Sequence, residues 1–241
     1  MSTPTPTAST VLAAGSPTTD VLAANWDRIS DTFTLSIWTT LYMVFWTMLI
    51  GGILGLVIGV LLYCTRSQGI LKNKALYTVL NVLVNFVRPI PFIILIAFIG
   101  PLTQLIIGRT IGTQAAVFVM SIAATFAVSR IVEQNLVAID PGVIEAARSM
   151  GASPWQIITT VIIPEALGPL VLGYTFIFIA VVDMSAMAGY IGGGGLGDFA
   201  ITYGYRAFDW EVTLVATAVI IVIVQIAQLF GNWLSKRIMR R

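Results

Sequence analysis

Histidine is absent from the 241-residue chain, and Cys64 is its single cysteine. These absences exclude a disulfide within the chain, a zinc site of Cys and His ligands, and a catalytic triad built on histidine. Charged residues are also scarce, at 10% of the sequence against about 25% in an average soluble domain. With 57% hydrophobic residues, the chain has too little polar surface to cover itself in water. The composition therefore indicates an integral membrane protein, and a net charge of +2 gives no reason to expect nucleic acid as a partner.

The amino-terminal segment lacks Lys and Arg over its first 24 residues and is rich in Thr, Ser, Ala and Pro. This composition predicts a disordered extracytoplasmic tail, which we assign to residues 1–30. A cleavable signal peptide is not expected, because it requires a basic start and an apolar core of about 7 to 15 residues.

Long apolar runs in residues 31–241 predict a transmembrane domain. A bilayer core of about 30 Å requires about 20 residues of helix. Segments of this length are expected to be helices, because lipid cannot satisfy backbone hydrogen bonds. The fold class predicted is all-α and polytopic, with five transmembrane helices at roughly 35–63, 76–99, 112–129, 166–188 and 212–234.

Basic residues are distributed unequally between the two sides that these spans define. Nine lie on one side and three on the other, which places the tail outside and the carboxyl terminus in the cytoplasm of a cell-membrane protein. The last four cations are expected to be attracted to anionic lipid, in preference to forming a dedicated binding motif. The nine are Arg66, Lys72, Lys74, Arg130, Arg148, Lys236, Arg237, Arg240 and Arg241, and the three are Arg28, Arg109 and Arg206.

Three glycines in the first span, Gly51, Gly55 and Gly59, form a tandem G-x-x-x-G pattern. Small residues at this spacing permit close approach of another helix. The pattern leaves open whether that helix belongs to the same subunit or to a second copy.

The cytoplasmic loop, residues 130–165, carries two helix-start signals. Asp140-Pro141 is typical of an N-cap followed by proline, and Gly151 occupies a C-cap position, so a helix is expected over about 141–150. Ser153-Pro154 with Gln156 forms a capping-box pattern, which predicts a second helix that ends at Pro164. The loop is therefore expected to be a rigid helix-turn-helix.

One face of the first loop helix is predicted to be an apolar stripe of Val143, Ala147 and Met150. A ridge of small residues would suit docking by another protein, although the helix pair could instead lie on the membrane or pack beneath its own helices. The ridge comprises Ala146, Ala147, Gly151 and Ala152.

The same loop resembles the EAA loop of binding-protein-dependent ABC importer permeases. Its pattern is Glu145-Ala146-Ala147, three residues, Gly151, nine residues, and then Val161-Ile162-Ile163-Pro164. The resemblance covers residues 33–240. Within this range the chain resembles methionine-import permeases in particular. The further stretches that carry it are 40–44, 88–95, 185–187 and 194–197.

This resemblance implies a type I ABC importer permease fold and a role for Glu145, Ala146, Ala147, Gly151 and Pro164 in coupling to an ATPase. It also implies two copies of an ABC ATPase subunit, a second copy of this chain and an extracytoplasmic substrate-binding protein as partners, besides the bilayer. The chain itself would have no catalytic or metal site and no cofactor, with ATP and magnesium held by the partner. No G-x-x-x-x-G-K-[ST] motif occurs in the sequence, so the energy of ATP is expected to arrive through that partner.

Two ionisable residues, Arg88 and Asp183, lie at membrane depth, where an unpaired charge is costly. We predict that both face the translocation pathway, together with Ser185 and Met187, and that Asp183 meets the ammonium group of an amino acid. The alternatives are a structural ion pair, or a second helix start at which Arg88 reaches cytoplasmic water. In the family the position of Asp183 is usually small and uncharged, so this residue departs from the pattern.

A different class of function is a stand-alone, ion-coupled amino acid carrier or channel. Secondary carriers commonly show paired internal repeats, into which five spans do not divide. A membrane enzyme is a third possibility, for which a chain without histidine offers poor material.

Overall fold

The structure is a computed structural model that describes residues 19–239, in which every regular element is a helix. The α-helices are α1 (Thr19–Thr65), α2 (Lys74–Val87), α3 (Phe92–Phe98), α4 (Gly100–Ile107), α5 (Thr113–Val137), α6 (Pro141–Ser149), α7 (Pro154–Gln156), α8 (Ile163–Ala188), α9 (Leu196–Phe199) and α10 (Trp210–Met239). Three π-helical segments, Ile157–Ile162, Gly189–Gly193 and Ala200–Tyr205, follow α7, α8 and α9 without a gap.

The amino-terminal tail is shorter than predicted, because α1 begins at Thr19 and residues 19–30 are helical. Trp26 and Phe33 lie about two helical turns apart, and their ring centroids are separated by 5.9 Å. The ring centroid of Phe33 lies 5.1 Å from that of Phe199. Ile29 is buried in the same apolar cluster. This cluster gives the start of α1 a packing partner that local composition could not reveal. Residues 1–18 of the predicted tail lie outside the described residues.

Among residues 19–239, four helices are long and apolar enough to cross a membrane, and a bent pair supplies a fifth crossing if it is one span. The pair consists of α2 and α3, which meet at an angle of 109°. The bend lies at Arg88-Pro89-Ile90-Pro91, because proline removes a backbone donor and clashes with the preceding turn. The second predicted span is therefore broken at its two prolines.

Helix α5 lies at the centre of the bundle. Of its most apolar 18-residue stretch, 61% is buried, against 11% of the corresponding stretch of α10. Gly51, Gly55 and Gly59 of α1 lie against it. A Cβ added at these glycines would come within 2.7 Å of Ala124, 2.5 Å of Val128 and 2.6 Å of Ser129, respectively. The tandem G-x-x-x-G pattern thus serves packing within the subunit.

Helix α5 also extends beyond its predicted end and runs to Val137, so residues 130–137 are not part of the loop. Arg130 Nη1 lies 2.6 Å from Glu133 Oε2 and 3.5 Å from Asn81 Oδ1, and Glu133 is buried. The ion pair lets two charged residues remain in the helix, which a hydropathy average does not anticipate.

We expect Gly55→Val to destabilise the protein by about 1 to 3 kcal/mol, as overpacking in a close-packed core does. The measurement is thermal unfolding of the purified protein in detergent. Gly100→Val is the matched control, because a Cβ at Gly100 meets no atom within 4 Å. Equal melting temperatures for the two variants would contradict the close approach of α1 and α5.

Candidate coupling hairpin and membrane pathway

The hairpin that follows α5 begins with a capped helix, α6. The carboxylate of Asp140 accepts a hydrogen bond from the backbone N–H of Gly142 at 2.8 Å, and Pro141 occupies the first turn. The predicted N-cap is therefore confirmed. The cap satisfies a donor that would otherwise lack a partner at the helix start.

Helix α6 ends in a Schellman motif centred on Gly151, which has φ = +81°. The N–H of Gly151 donates to the carbonyl of Arg148 at 2.9 Å, and that of Ala152 donates to the carbonyl of Ala147 at 3.1 Å. Left-handed backbone is strained for residues with a Cβ, which explains glycine here and confirms the predicted C-cap.

The second helix begins at the predicted capping box. The N–H of Ser153 donates to Gln156 Oε1 at 2.8 Å, and the N–H of Gln156 donates to Ser153 Oγ at 3.4 Å. Two caps separated by one short turn give the hairpin a defined shape without help from another protein.

The predicted end of this helix at Pro164 is wrong, because the chain continues from α7 through the π-helical segment Ile157–Ile162 into α8. The N–H of Ile163 donates to the carbonyl of Ile158, five residues back. Pro164 then lies in the first turn of α8, where a missing N–H is tolerated. The hairpin is thus continuous with a membrane-spanning helix.

The residues predicted to contact an ATPase differ in exposure. Glu145, Ala146, Gly151 and Pro164 are exposed, whereas Ala147 is 3% exposed. Ala147 belongs to the inner cluster of the bundle, against which Ile144 also packs.

Of the predicted apolar stripe, only Ala147 is buried, since Val143 and Met150 are exposed. Three positions at helical spacing cannot show where the supporting core lies.

Two large apolar side chains are exposed on the hairpin: Met150, which belongs to the predicted stripe, and Trp155, which the sequence did not single out. Met150 is 80% exposed and Trp155 is 73% exposed, on either side of the Gly151 turn. Exposed large apolar groups next to polar caps are typical of a protein contact. The signal available in the sequence was a tryptophan one residue after the proline of a capping box.

Support for the hairpin comes from the end of α1. A cavity of about 260 Å³ separates them and is lined by Tyr63, Arg66, Ile144 and Arg148, among others. The guanidinium of Arg66 lies 4.7 Å from the ring centroid of Tyr63, a cation–π contact. The cations flanking this cavity place α6 beside the first span.

The charged residues at membrane depth both have exposed side chains, and within residues 19–239 no salt bridge joins Asp183 to Arg88. Asp183 and Met187 are one helical turn apart and share an exposed face of α8 with Phe176, and Tyr190 is exposed in the π-helical segment that follows. Arg88 lies at the bend between α2 and α3. An intramolecular ion pair between the two is therefore not formed.

Ser185, also predicted to line the pathway, does not share this exposed face. Ser185 is 2% exposed, and its hydroxyl donates to the carbonyl of Val182 at 2.6 Å. Successive helical residues are about 100° apart, so position 185 lies on the opposite side of α8 from position 183.

Within residues 19–239 no group of three or more His, Cys, Asp or Glu side chains could hold a metal ion. A bundle of long apolar helices joined to a capped, exposed hairpin defines a multi-pass membrane protein. The family described as "Binding-protein-dependent transport system inner membrane component" matches residues 55–240, and the chain belongs to this family. This membership favours an importer permease over a stand-alone carrier or channel.

Similar proteins include the probable D-methionine transport system permease protein MetI of Vibrio cholerae. It is 42% identical over 219 residues, which cover 90% of this chain and 97% of that protein. The methionine import system permease protein MetP of Bacillus subtilis is 40% identical, over 75% of this chain and 82% of that protein.

Solved structures show the same likeness. An inward-facing conformation of the MetNI methionine ABC transporter has a chain with a TM-score of 0.85 and 38% identity, covering 88% of this chain and 98% of that one. An amino acid ABC transporter reaches a TM-score of 0.73 at 23% identity, over 89% of this chain and 97% of that one, which shows the shared fold.

We expect Ser153→Ala to remove the capping box and to speed amide hydrogen exchange of Gln156 about fivefold, because such a cap contributes about 1 kcal/mol. The measurement is site-resolved hydrogen exchange. Ser149→Ala is the matched control, since Ser149 lies within α6 and its hydroxyl bonds only to the preceding turn at Glu145. Equal exchange at Gln156 in both variants would show that the hairpin does not depend on this cap.

Proposed function

We propose that the chain is the permease subunit of an ATP-binding-cassette importer that moves methionine or a related amino acid into the cytoplasm. The observation that carries this proposal is the exposed, doubly capped hairpin that continues into α8. A rigid surface joined to a spanning helix suits the transfer of force from a partner. The names of the relatives and the MetNI likeness support methionine as the substrate.

The assembly proposed is a homodimer of this chain with two ABC ATPase subunits and an extracytoplasmic substrate-binding protein. Glu145, Ala146 and Gly151, with Met150 and Trp155, form the contact with the ATPase. Ala147 and Pro164 support this surface without forming it. Ala147 packs α6 against the core, and Pro164 lies at the start of α8. ATP and magnesium are held by the ATPase, and the permease performs no covalent chemistry.

The mechanism proposed is alternating access. Closure of the ATPase dimer draws the two hairpins together, and α8 carries that movement across the membrane. The pathway then closes toward the cytoplasm and opens toward the binding protein. Since the hairpin must face the ATPase, the amino terminus lies outside and the carboxyl terminus lies in the cytoplasm, as the distribution of basic residues predicts.

The pathway lies along the face of α8 that carries Asp183 and Met187, with Arg88 at the bend of the broken span. A lone carboxylate exposed at membrane depth requires water or a partner of opposite charge. In the homodimer this face meets the pathway, where the Asp183 carboxylate receives the substrate ammonium. The thioether of Met187 adds an adaptable apolar contact.

We expect Gly151→Arg to reduce co-purification of the ATPase at least about tenfold, equivalent to about 1.4 kcal/mol, and to abolish uptake. A bulky cation would occupy the docking surface while membrane insertion remains normal. Gly151→Asn is the control, because asparagine tolerates left-handed backbone and is small. Undiminished co-purification of Gly151→Arg contradicts the docking assignment, and an equal loss in Gly151→Asn would assign the effect to the backbone.

We expect Asp183→Asn to raise the apparent KM for methionine uptake about tenfold, because the amide cannot neutralise an ammonium group and a factor of ten corresponds to about 1.4 kcal/mol. Uptake is measured in proteoliposomes of the complete transporter with the binding protein at fixed excess. Glu211→Gln, an exposed carboxylate at the start of α10, is the control. An unchanged KM in Asp183→Asn would remove the substrate role of this residue.

A further inference from the structure

An apolar groove of about 510 Å³ runs between α1, α8 and α10 on the outside of the bundle. Its wall on α8 includes Leu167, Val171, Tyr174 and Phe178, at i, i+4, i+7 and i+11. These positions form a different helical face from the one that carries Asp183. The groove is therefore separate from the proposed pathway.

The groove joins a second cavity, of about 650 Å³, which lies at the carboxyl end of α10. The two share Leu167 and Leu234 in their linings. The second cavity is charged, because Glu165 and Arg237 line it and form no salt bridge with each other in the described part of the chain. A long apolar slot thus ends at one anionic and one cationic side chain.

The floor of these cavities cannot collapse. Ser235 Oγ donates to the carbonyl of Gly168 at 2.9 Å, and a Cβ at Gly231 would overlap the side chain of Thr175. Since α8 and α10 are already closely packed there, the concave surface beside them persists. The Tyr174 hydroxyl donates to the carbonyl of Gly52 at 2.7 Å, so it needs no water in the groove.

The charged end offers two acceptors for a cation and one anchor for an anion. Pro169, which also lines the cavity, has no N–H, so the carbonyl of Glu165 cannot receive the α-helical bond from that position. Both the carboxylate and the carbonyl of Glu165 are therefore acceptors. The Arg237 guanidinium lies 5.4 Å from the ring centroid of Trp233, which holds its charge beside the cavity.

We propose that this composite site binds a zwitterionic glycerophospholipid of the phosphatidylethanolamine type. One acyl chain occupies the apolar groove, the phosphate binds Arg237, and the ammonium binds Glu165. The bilayer supplies this ligand, because α10 is exposed to it: among the four continuous spans of the described residues, its apolar stretch is the least buried. The proposed lipid site requires only that the chain is inserted in a membrane. Its location in the cytoplasmic leaflet rests on the orientation given under Proposed function.

The test is native mass spectrometry of the detergent-solubilised transporter titrated with dioleoyl phosphatidylethanolamine, phosphatidylglycerol or phosphatidylcholine. We expect phosphatidylethanolamine to bind at least fivefold more tightly than the other two. Glu165→Gln should abolish that preference, and Arg237→Gln should weaken all three about tenfold. Lys236→Gln, an exposed cation outside both linings, should change nothing.

A second arm addresses the groove. Ala227→Trp fills it, whereas Ala218→Trp places the same ring on an exposed part of α10 outside the lining. We expect Ala227→Trp alone to lose bound phosphatidylethanolamine, with the thermal stability of both variants recorded as a measure of folding. Equal retention by Ala227→Trp and Ala218→Trp would overturn the proposal. So would equal binding of the three lipids with no effect of Glu165→Gln or Arg237→Gln relative to Lys236→Gln.

Discussion

Continuity of the helix across Pro164 is the constraint on which the rest of the structure depends. A proline at this point would ordinarily separate the cytoplasmic hairpin from the membrane helix. The π-helical segment Ile157–Ile162 shifts the hydrogen-bond register, so Pro164 falls in the first turn of α8. The result is a helical rod from Pro154 to Ala188, about 50 Å long at 1.5 Å rise per residue. One end of this rod is exposed on the hairpin and the other approaches the glycine-rich segment Gly189–Gly195.

The two sides of the bundle meet different requirements. On the inner side, the glycines of α1 allow backbone contact with α5, which makes the core a stiff support for α6 and α8. On the outer side, α10 contacts α8 closely at Gly168 and Gly231 but leaves a groove alongside. Interhelical packing in a bilayer gains little from the hydrophobic effect, because lipid is as apolar as the side chains. A groove facing lipid is therefore tolerated where a cavity in a soluble core would not be.

Features set by neighbouring residues could be predicted from the sequence, and features set by distant contacts could not. The caps at Asp140, Gly151 and Ser153 depend on residues within four positions, and all three are as expected. The end of α5 depends instead on Asn81 and the buried Arg130–Glu133 pair, and the start of α1 on Phe199. The proline pair predicted a break after Arg88, but the 109° angle follows from packing on α5 and α8. The burial of Ser185 likewise depends on which side of α8 faces the bundle, which its own side chain does not indicate.

The exposed face of α8 links the chain to its assembly. A carboxylate at membrane depth, flanked by Phe176, Met187 and Tyr190, cannot face hydrocarbon without a large cost in solvation free energy. The groove wall on the same helix has the opposite character, because it is apolar and its two hydroxyls, of Tyr174 and Thr175, are already bonded. A helix with one face suited to lipid and another that requires water or a second subunit fits the boundary of the pathway proposed above. Two copies related by a twofold axis would bring both Asp183 carboxylates to that pathway. Mutual repulsion would then oppose closure until a cation, such as a substrate ammonium, lay between them.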